Sequence, residues 1–204
     1  DVTDPASLAA ALERVVAHDG ALDVMVNNAG TVDNTASLDV DPAQWRRVMA
    51  VNLDGGFFGC QAAGRHMVPR RSGVIVNTAS MSGHIVNREL PQASYNTSKA
   101  GVIHLTRTLA AEWGPHGVRV NCVEPGTVWT DFHQDPERPA KVAGSIPLGR
   151  AGEPAEIAGA VAWLLSTEAS YTTGATLRVA GGLYRTGAAC ALPARSHPFR
   201  EIAL

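Results

Sequence analysis

VIVNTAS, residues 74–80, and VRVNCVEPG, residues 118–126, flank a stretch that begins SYNTSKAG at 94–101. The outer runs are β-branched and apolar, the pattern of strands buried within a sheet. The first follows the turn signal Ser72-Gly73, and the stretch from 94 to 113 reads as a helix ended by Gly114-Pro115. Strand, helix and strand in that order make a parallel crossover unit. Working outward, the same alternation recurs. Residues 5–18 read as a helix with Asp4 as N-cap and Pro5 at its first position. Residues 22–27 read as a short strand closed by NNAG, and 42–68 as a longer helix with an Asp41-Pro42 start. Residues 127–151 are irregular, 153–165 form a fourth helix and 175–180 a last strand. The fold class is therefore α/β: a doubly wound parallel sheet with helices on both faces. In such sheets ligands bind beyond the carboxyl ends of the strands.

With 204 residues the chain is long enough for one domain, spanning 1–184, with an irregular tail at 185–204 that Pro193 and Pro198 interrupt. A net charge of −2 makes no electrostatic case for nucleic acid or an anionic membrane. No apolar stretch approaches the ~20 residues of a membrane span. Cys60, Cys122 and Cys190 are isolated in sequence, which fits reduced thiols in a cytoplasmic setting and gives no metal-ligand spacing.

Only three tyrosines and two lysines occur, yet Tyr95 and Lys99 lie one helical turn apart and share a face. A free phenol, with a pKa near ~10, is a poor base at neutral pH. A neighbouring ammonium stabilises the phenolate and lowers that pKa, so the tyrosine can exchange a proton with a substrate. Ser80, after the strand at 74–80, offers a hydroxyl to a substrate oxygen. The pair alone occurs by chance in many helices, with a solvated lysine and a half-buried tyrosine.

Five segments in register change that balance: NNAG at 27–30, VNLDGGF at 51–57, IVNTASMSG at 75–83, YNTSK at 95–99 and VRVNCVEPGTVWT at 118–130. In order and spacing the chain resembles the short-chain dehydrogenase/reductase family from residue 1 to about 183. The resemblance implies a Rossmann-like fold, NAD or NADP as cofactor, and a small-molecule substrate. It also implies a homo-dimer or tetramer formed through the helices at 42–68 and 94–113. Residue by residue, it implies Tyr95 as general acid/base and Lys99 as its tuner and ribose ligand. Ser80 would orient the substrate oxygen, and Asn52 would hold a water linking Lys99 to solvent. Asn28, Ala29 and Gly30 would pass the adenine side of the cofactor, Pro125, Gly126 and Thr130 would flank its nicotinamide, and Asp1 would lie beside its adenine.

Ser82 competes with Ser80. It lies at a spacing from Tyr95 common in the family, but Ser80 stands three before Gly83, as the motif requires, which leaves a two-residue expansion in HIVNRELPQA. Asn52 in mid-helix costs propensity, so a purely structural role suits it less well. His84 reads as a solvated loop residue, with substrate contact as the alternative. No G-x-S-x-G elbow surrounds Ser80, which argues against a Ser-His hydrolase. Trp45, Trp113 and Trp163 read as packing residues, and Trp129 as a ligand contact.

Against the family pattern, the Gly-rich phosphate turn and its flanking strand and helix are missing ahead of Asp1. About sixty residues, two βα units, would precede it. The expectation is an N-terminally truncated domain lacking its first βαβ segment. Cofactor affinity would be about a thousandfold weaker, some ~4 kcal/mol, and the strand at 22–27 would become an exposed edge. Two readings follow: an NAD(P)-dependent oxidoreductase acting on a secondary alcohol or ketone, or a non-catalytic remnant that at most associates with related subunits. Ala180, before Gly181-Gly182, replaces the family's usual acidic residue. The loop between Ser80 and Tyr95 looks like that of members acting on sugar alcohols, and the polar segment 128–146, with Asp131, His133 and Gln134, suits a hydroxylated substrate.

Overall fold

Local signals place the elements. The computed structural model describes residues 1–87, 90–132 and 137–183. Asp4 accepts from the Ala6 N–H at 2.9 Å and starts α1 (Pro5–Asp19), which Gly20 ends at φ 80° in the left-handed conformation. β1 (Val24–Asn27) follows. A capping box between Asp41 and Gln44 opens α2 (Pro42–Met49). The helix expected over 42–68 runs on, but not as one regular helix. A π-helical turn, Ala50–Asp54, separates α2 from α3 (Gly55–Arg70). Then come β2 (Gly73–Thr78), a 3₁₀ turn at Met81–Gly83, α4 (Ala93–Trp113) and β3 (Val118–Pro125). The segment expected to be irregular contains the short helix α5 (Arg138–Val142), ahead of α6 (Pro154–Leu165) and β4 (Thr176–Val179). The expected tail at 185–204 lies outside the described residues, as do His133 and Gln134.

The four strands are parallel in the order β1-β2-β3-β4, with Asn27 beside Asn77 and Asn77 beside Cys122. Their carboxyl ends therefore lie at one rim. Side chains alternate between faces. Ile75, Val118 and Val120 pack with Leu12 of α1, Met67 of α3 and Leu109 of α4. Val76 and Val123 point the other way and pack with Leu164, Ile157 and Val161 of α6. Helices thus cover both faces of a Rossmann-like sheet.

Among the described residues β1 pairs only with β2, and Val24 and Val26 are 48% and 39% exposed. The expected apolar edge is present. Two tryptophan expectations need correction. Trp113 packs against the core, but Trp45 and Trp163 are 38% and 39% exposed, on the outer faces of α2 and α6.

Candidate active site

β2 ends at Thr78, and the chain turns at Ser80 into the 3₁₀ turn. The Ser80 hydroxyl accepts from the Ser82 N–H at 3.1 Å, and Ser80 lies near enough to the Tyr95 phenol to act on its pKa. The Ser82 hydroxyl is engaged elsewhere, accepting from Asn87 Nδ2 at 3.3 Å. The structure thus brings Ser80, not Ser82, to Tyr95.

Tyr95 lies in the first turn of α4, and Lys99 one turn on; both are buried. Lys99 Nζ donates to the Thr78 carbonyl at 2.7 Å and lies 5.7 Å from the centre of the Tyr95 ring. Burial pulls the Lys99 ammonium down to about 8. Burial also pushes the Tyr95 phenol above its ordinary value, against the opposing effect of the Ser80 hydrogen bond. This corrects the expectation that Lys99 lowers the Tyr95 pKa. The desolvation of both groups outweighs an ammonium whose closest bond goes to a backbone carbonyl. In this state the site holds a protonated phenol beside a weakly basic amine.

Asn52 occupies the π-helical turn. Its Nδ2 donates to the Thr31 carbonyl at 2.9 Å and to Ser98 Oγ at 3.0 Å, while its Oδ1 accepts from the Thr31 N–H at 2.8 Å. Ser98 in turn donates to the Tyr95 carbonyl at 2.7 Å. Both amide hydrogens are therefore used, and the side chain has none to give to a water. A water linking Lys99 to solvent would have to donate to Oδ1, which accepts one bond here, or to a backbone carbonyl. The side chain ties the loop after β1 to α4. The π turn, in which the Gly55 N–H reaches back to the Ala50 carbonyl, is what aims it there.

Gly30 completes the group. A Cβ on it would stand 3.5 Å from both Asn52 Oδ1 and Lys99 Nζ, so the missing side chain keeps that approach to the ammonium open. Asn28 Oδ1 accepts from Thr78 Oγ1 at 3.1 Å. Asn28 and Ala29 line a cleft with Val2, Val26, Asn52 and Thr78. The lining is mostly apolar, with Asn27, Asn28, Asn52, Asn77 and Thr78 as its polar residues. Pro125 ends β3, and the Gly126 N–H donates to the Val179 carbonyl at 2.9 Å. Gly126 also packs so closely on β4 that an added Cβ would lie 2.7 Å from Ala180 Cα.

Two candidates stand apart. Asp1 is exposed, and its Oδ1 accepts from the Thr3 N–H and hydroxyl, both at 2.9 Å, at the head of α1. Thr130 is exposed and caps a turn, its Oγ1 3.4 Å from the Phe132 N–H. Trp129 is 41% exposed in the same loop.

Sequence reasoning missed several residues. Thr78 acts through its carbonyl and Thr31 through its backbone, which no side-chain pattern reveals. Ser98 lies three residues after Tyr95, a spacing that could have suggested its bond to the Tyr95 carbonyl. Phe132 brings its ring to 6.1 Å from that of Tyr95, tilted at 48°, and walls the phenol from above the loop. Cys60 and Cys122 are free and buried, and burial pushes both thiols up to about 12, so neither is a nucleophile at neutral pH. No cluster that could hold a metal occurs among the described residues, and none of their helices is long and apolar enough to cross a membrane.

Comparison with known proteins identifies the family. The family model described as enoyl-(acyl carrier protein) reductase matches residues 1–184. Galactitol 2-dehydrogenase (L-tagatose-forming) of Cereibacter sphaeroides is 47% identical over 186 residues, which cover 89% of this chain and 73% of that protein. A short-chain type dehydrogenase/reductase from Mycobacterium marinum superposes with a TM-score of 0.87 at 40% identity, covering 90% of this chain and 73% of that one. A xylitol dehydrogenase solved with NAD+ bound superposes at 0.82 with 34% identity, over 89% of this chain and 76% of that one. With its parallel sheet and its Ser80, Tyr95 and Lys99 gathered at one rim, the chain belongs to the short-chain dehydrogenase/reductase family.

Proposed function

We propose that this chain exchanges a hydride between NAD or NADP and a secondary alcohol or ketone, with a sugar alcohol as the substrate class. The observation that carries the reading is the buried Ser80–Tyr95–Lys99 cluster at the carboxyl rim of the sheet, with Ser80 beside the phenol and the amine 5.7 Å from the ring centre. The nicotinamide supplies the hydride donor or acceptor when bound. Tyr95 then gives a proton to the substrate oxygen during ketone reduction, or takes one from the hydroxyl during oxidation. Ser80 holds the same oxygen with its hydroxyl. Lys99 lies close enough to stabilise the phenolate once a ligand draws it off the Thr78 carbonyl, and it reaches the ribose across Gly30. Both Asn52 amide hydrogens are donated, so a relay water would be held as a donor, by Asn52 Oδ1 or by a backbone carbonyl of the π turn. Asn28, Ala29 and Gly30 form one wall of the nucleotide groove, and Pro125, Gly126 and Thr130 border its nicotinamide end. Asp1 is proposed beside the adenine, with Oδ2 as the acceptor while Oδ1 stays on Thr3.

The polyol reading rests on the loop between Ser80 and Tyr95 and on the similarity to galactitol 2-dehydrogenase. The family model named for an acyl-carrier reductase keeps a thioester substrate as the comparison case. We further propose that copies associate through α2–α3 and α4, and that the protein works in the cytoplasm, where its free thiols stay reduced.

The test is to titrate the folded chain with NADH and NADPH by nucleotide fluorescence. Turnover is then followed at the nicotinamide absorbance with galactitol, sorbitol and xylitol against a 3-oxoacyl thioester. Binding with polyol turnover supports the proposal. Binding with thioester turnover alone keeps hydride transfer and removes the polyol. A folded chain that binds no nucleotide favours a non-catalytic chain that associates with related subunits.

A further inference from the structure

Glu124, at the carboxyl end of β3, has a side chain only 1% exposed. Its Oε1 accepts from His84 Nε2 at 2.9 Å and its Oε2 from Arg178 Nε at 3.0 Å. A carboxylate oxygen only accepts, so Nε2 carries the proton in this bond. A charge buried this deeply is tolerable only when both oxygens are satisfied, and here one cation and one imidazole share the task. His84, expected as a solvated loop residue, is instead anchored, with 34% of its side chain exposed.

Each member of the trio adjoins a different part of the active site. His84 directly follows the Met81–Gly83 turn that Ser80 caps. That turn presses on α4: a Cβ at Gly83 would lie 3.0 Å from the Lys99 carbonyl carbon and from the Ala100 nitrogen. Glu124 immediately precedes Pro125-Gly126, and Arg178 lies on β4 two residues before Ala180, against which Gly126 packs. One ionic cluster thus binds the ends of β3 and β4 to the turn that carries Ser80.

We propose that His84, acting through Glu124 and Arg178, is a positioning residue that fixes the Ser80 turn against Tyr95 and Lys99. The hydroxyl of Ser80 is thereby set in register with the Pro125-Gly126 turn. The inference rests on the hydride-transfer reading and adds to it a part of the chain outside the expected catalytic group. No bond is made or broken at His84. It transmits position by one hydrogen bond.

The experiment compares the wild-type chain with His84→Phe, which keeps bulk and loses the donor, and His84→Gln, whose amide can still donate to Glu124. With a polyol that the wild type oxidises, His84→Phe is expected to lower kcat about tenfold or more, equivalent to ~1.4 kcal/mol of barrier, with the nucleotide KM within about twofold. His84→Gln is expected to recover kcat to within about threefold of wild type, a loss of less than ~0.7 kcal/mol. Unchanged kcat in His84→Phe overturns the proposal. So does His84→Gln as slow as His84→Phe, which would mean that the imidazole acts by itself. A readout independent of turnover is the imidazole Nε2–H resonance of His84 in a nitrogen-15 labelled sample. A slowly exchanging proton supports the anchor, and a freely exchanging one overturns it. A protected proton in a wild-type chain that turns over no alcohol or ketone removes the hydride-transfer reading and the positioning role with it, leaving the ionic cluster. A protected proton with unaltered His84→Phe kinetics removes the positioning role alone.

Discussion

Tyr95 and Lys99 are both taken out of water, and both would be more comfortable neutral. For Lys99 this has a thermodynamic signature. Its ammonium titrates at 10.5 when unfolded and at about 8 when folded. Between those values the unfolded chain holds the extra proton, so stability rises with pH across that window, and below it the penalty is constant at about 3 kcal/mol. Replacing Lys99 with Met removes the penalty and also the charged bond to Thr78, which is worth about 2 kcal/mol. We therefore expect Lys99→Met to be more stable than wild type at pH 7 by about 1 kcal/mol and to be inactive. The gap should narrow as pH rises from about 8 towards 10.5, as read by urea denaturation at stepped pH. A gap that widens, or a less stable variant at every pH, would contradict the burial argument. For Tyr95→Phe the expected outcome is turnover lower by about 100-fold with nucleotide binding nearly unchanged, measured by steady-state kinetics and fluorescence titration. The identity of this pair was legible because i and i+4 on a helix fix a shared face. The direction of the Tyr95 shift was not, because it depends on burial and on where the Nζ bond goes, and neither is written in residue spacing.

At the scale of elements, the strands and helices could be read nearly to their ends, since caps such as Asp4 and Asp41 and β-branched runs such as 74–78 act locally. The π turn could not. It arises because Asn52 must reach Thr31 and Ser98, partners 21 and 46 residues away in sequence. The same distance effect hid Glu124. A carboxylate inside an otherwise apolar strand looks like an interruption until Arg178, 54 residues on, and His84, 40 residues back, are placed beside it. The edge strand β1 carries its own prediction. Val26→Lys on the exposed side should lower light scattering on concentration or warming and leave the melting temperature within about 2 °C, because an exposed strand position contributes little burial. Unchanged scattering would show that self-association does not begin at this edge.

For the whole molecule, the proposed association of copies has its own test. Phe57, 37% exposed on α3, lies on the outer surface of the helices through which association is proposed. Phe57→Arg should shift sizing chromatography towards the monomer while circular dichroism stays the same, and an unaltered elution volume would move the interface elsewhere. The fold class was legible from the alternation of elements, but which surfaces stay uncovered was not. Trp45 and Trp163 resemble core residues in sequence and are found outside, because helix faces are decided by neighbours rather than by the residue's own hydrophobicity. One last consequence follows from the order of the strands. Among the described residues each lies beside the strand that comes next, with no later one inserted between earlier ones. A ribosome releasing this polypeptide from its amino end could therefore hand over the sheet one crossover at a time. From β2 onward each new strand would find its docking edge already in place, and α6 would reach the second face before β4, the last of them, arrives.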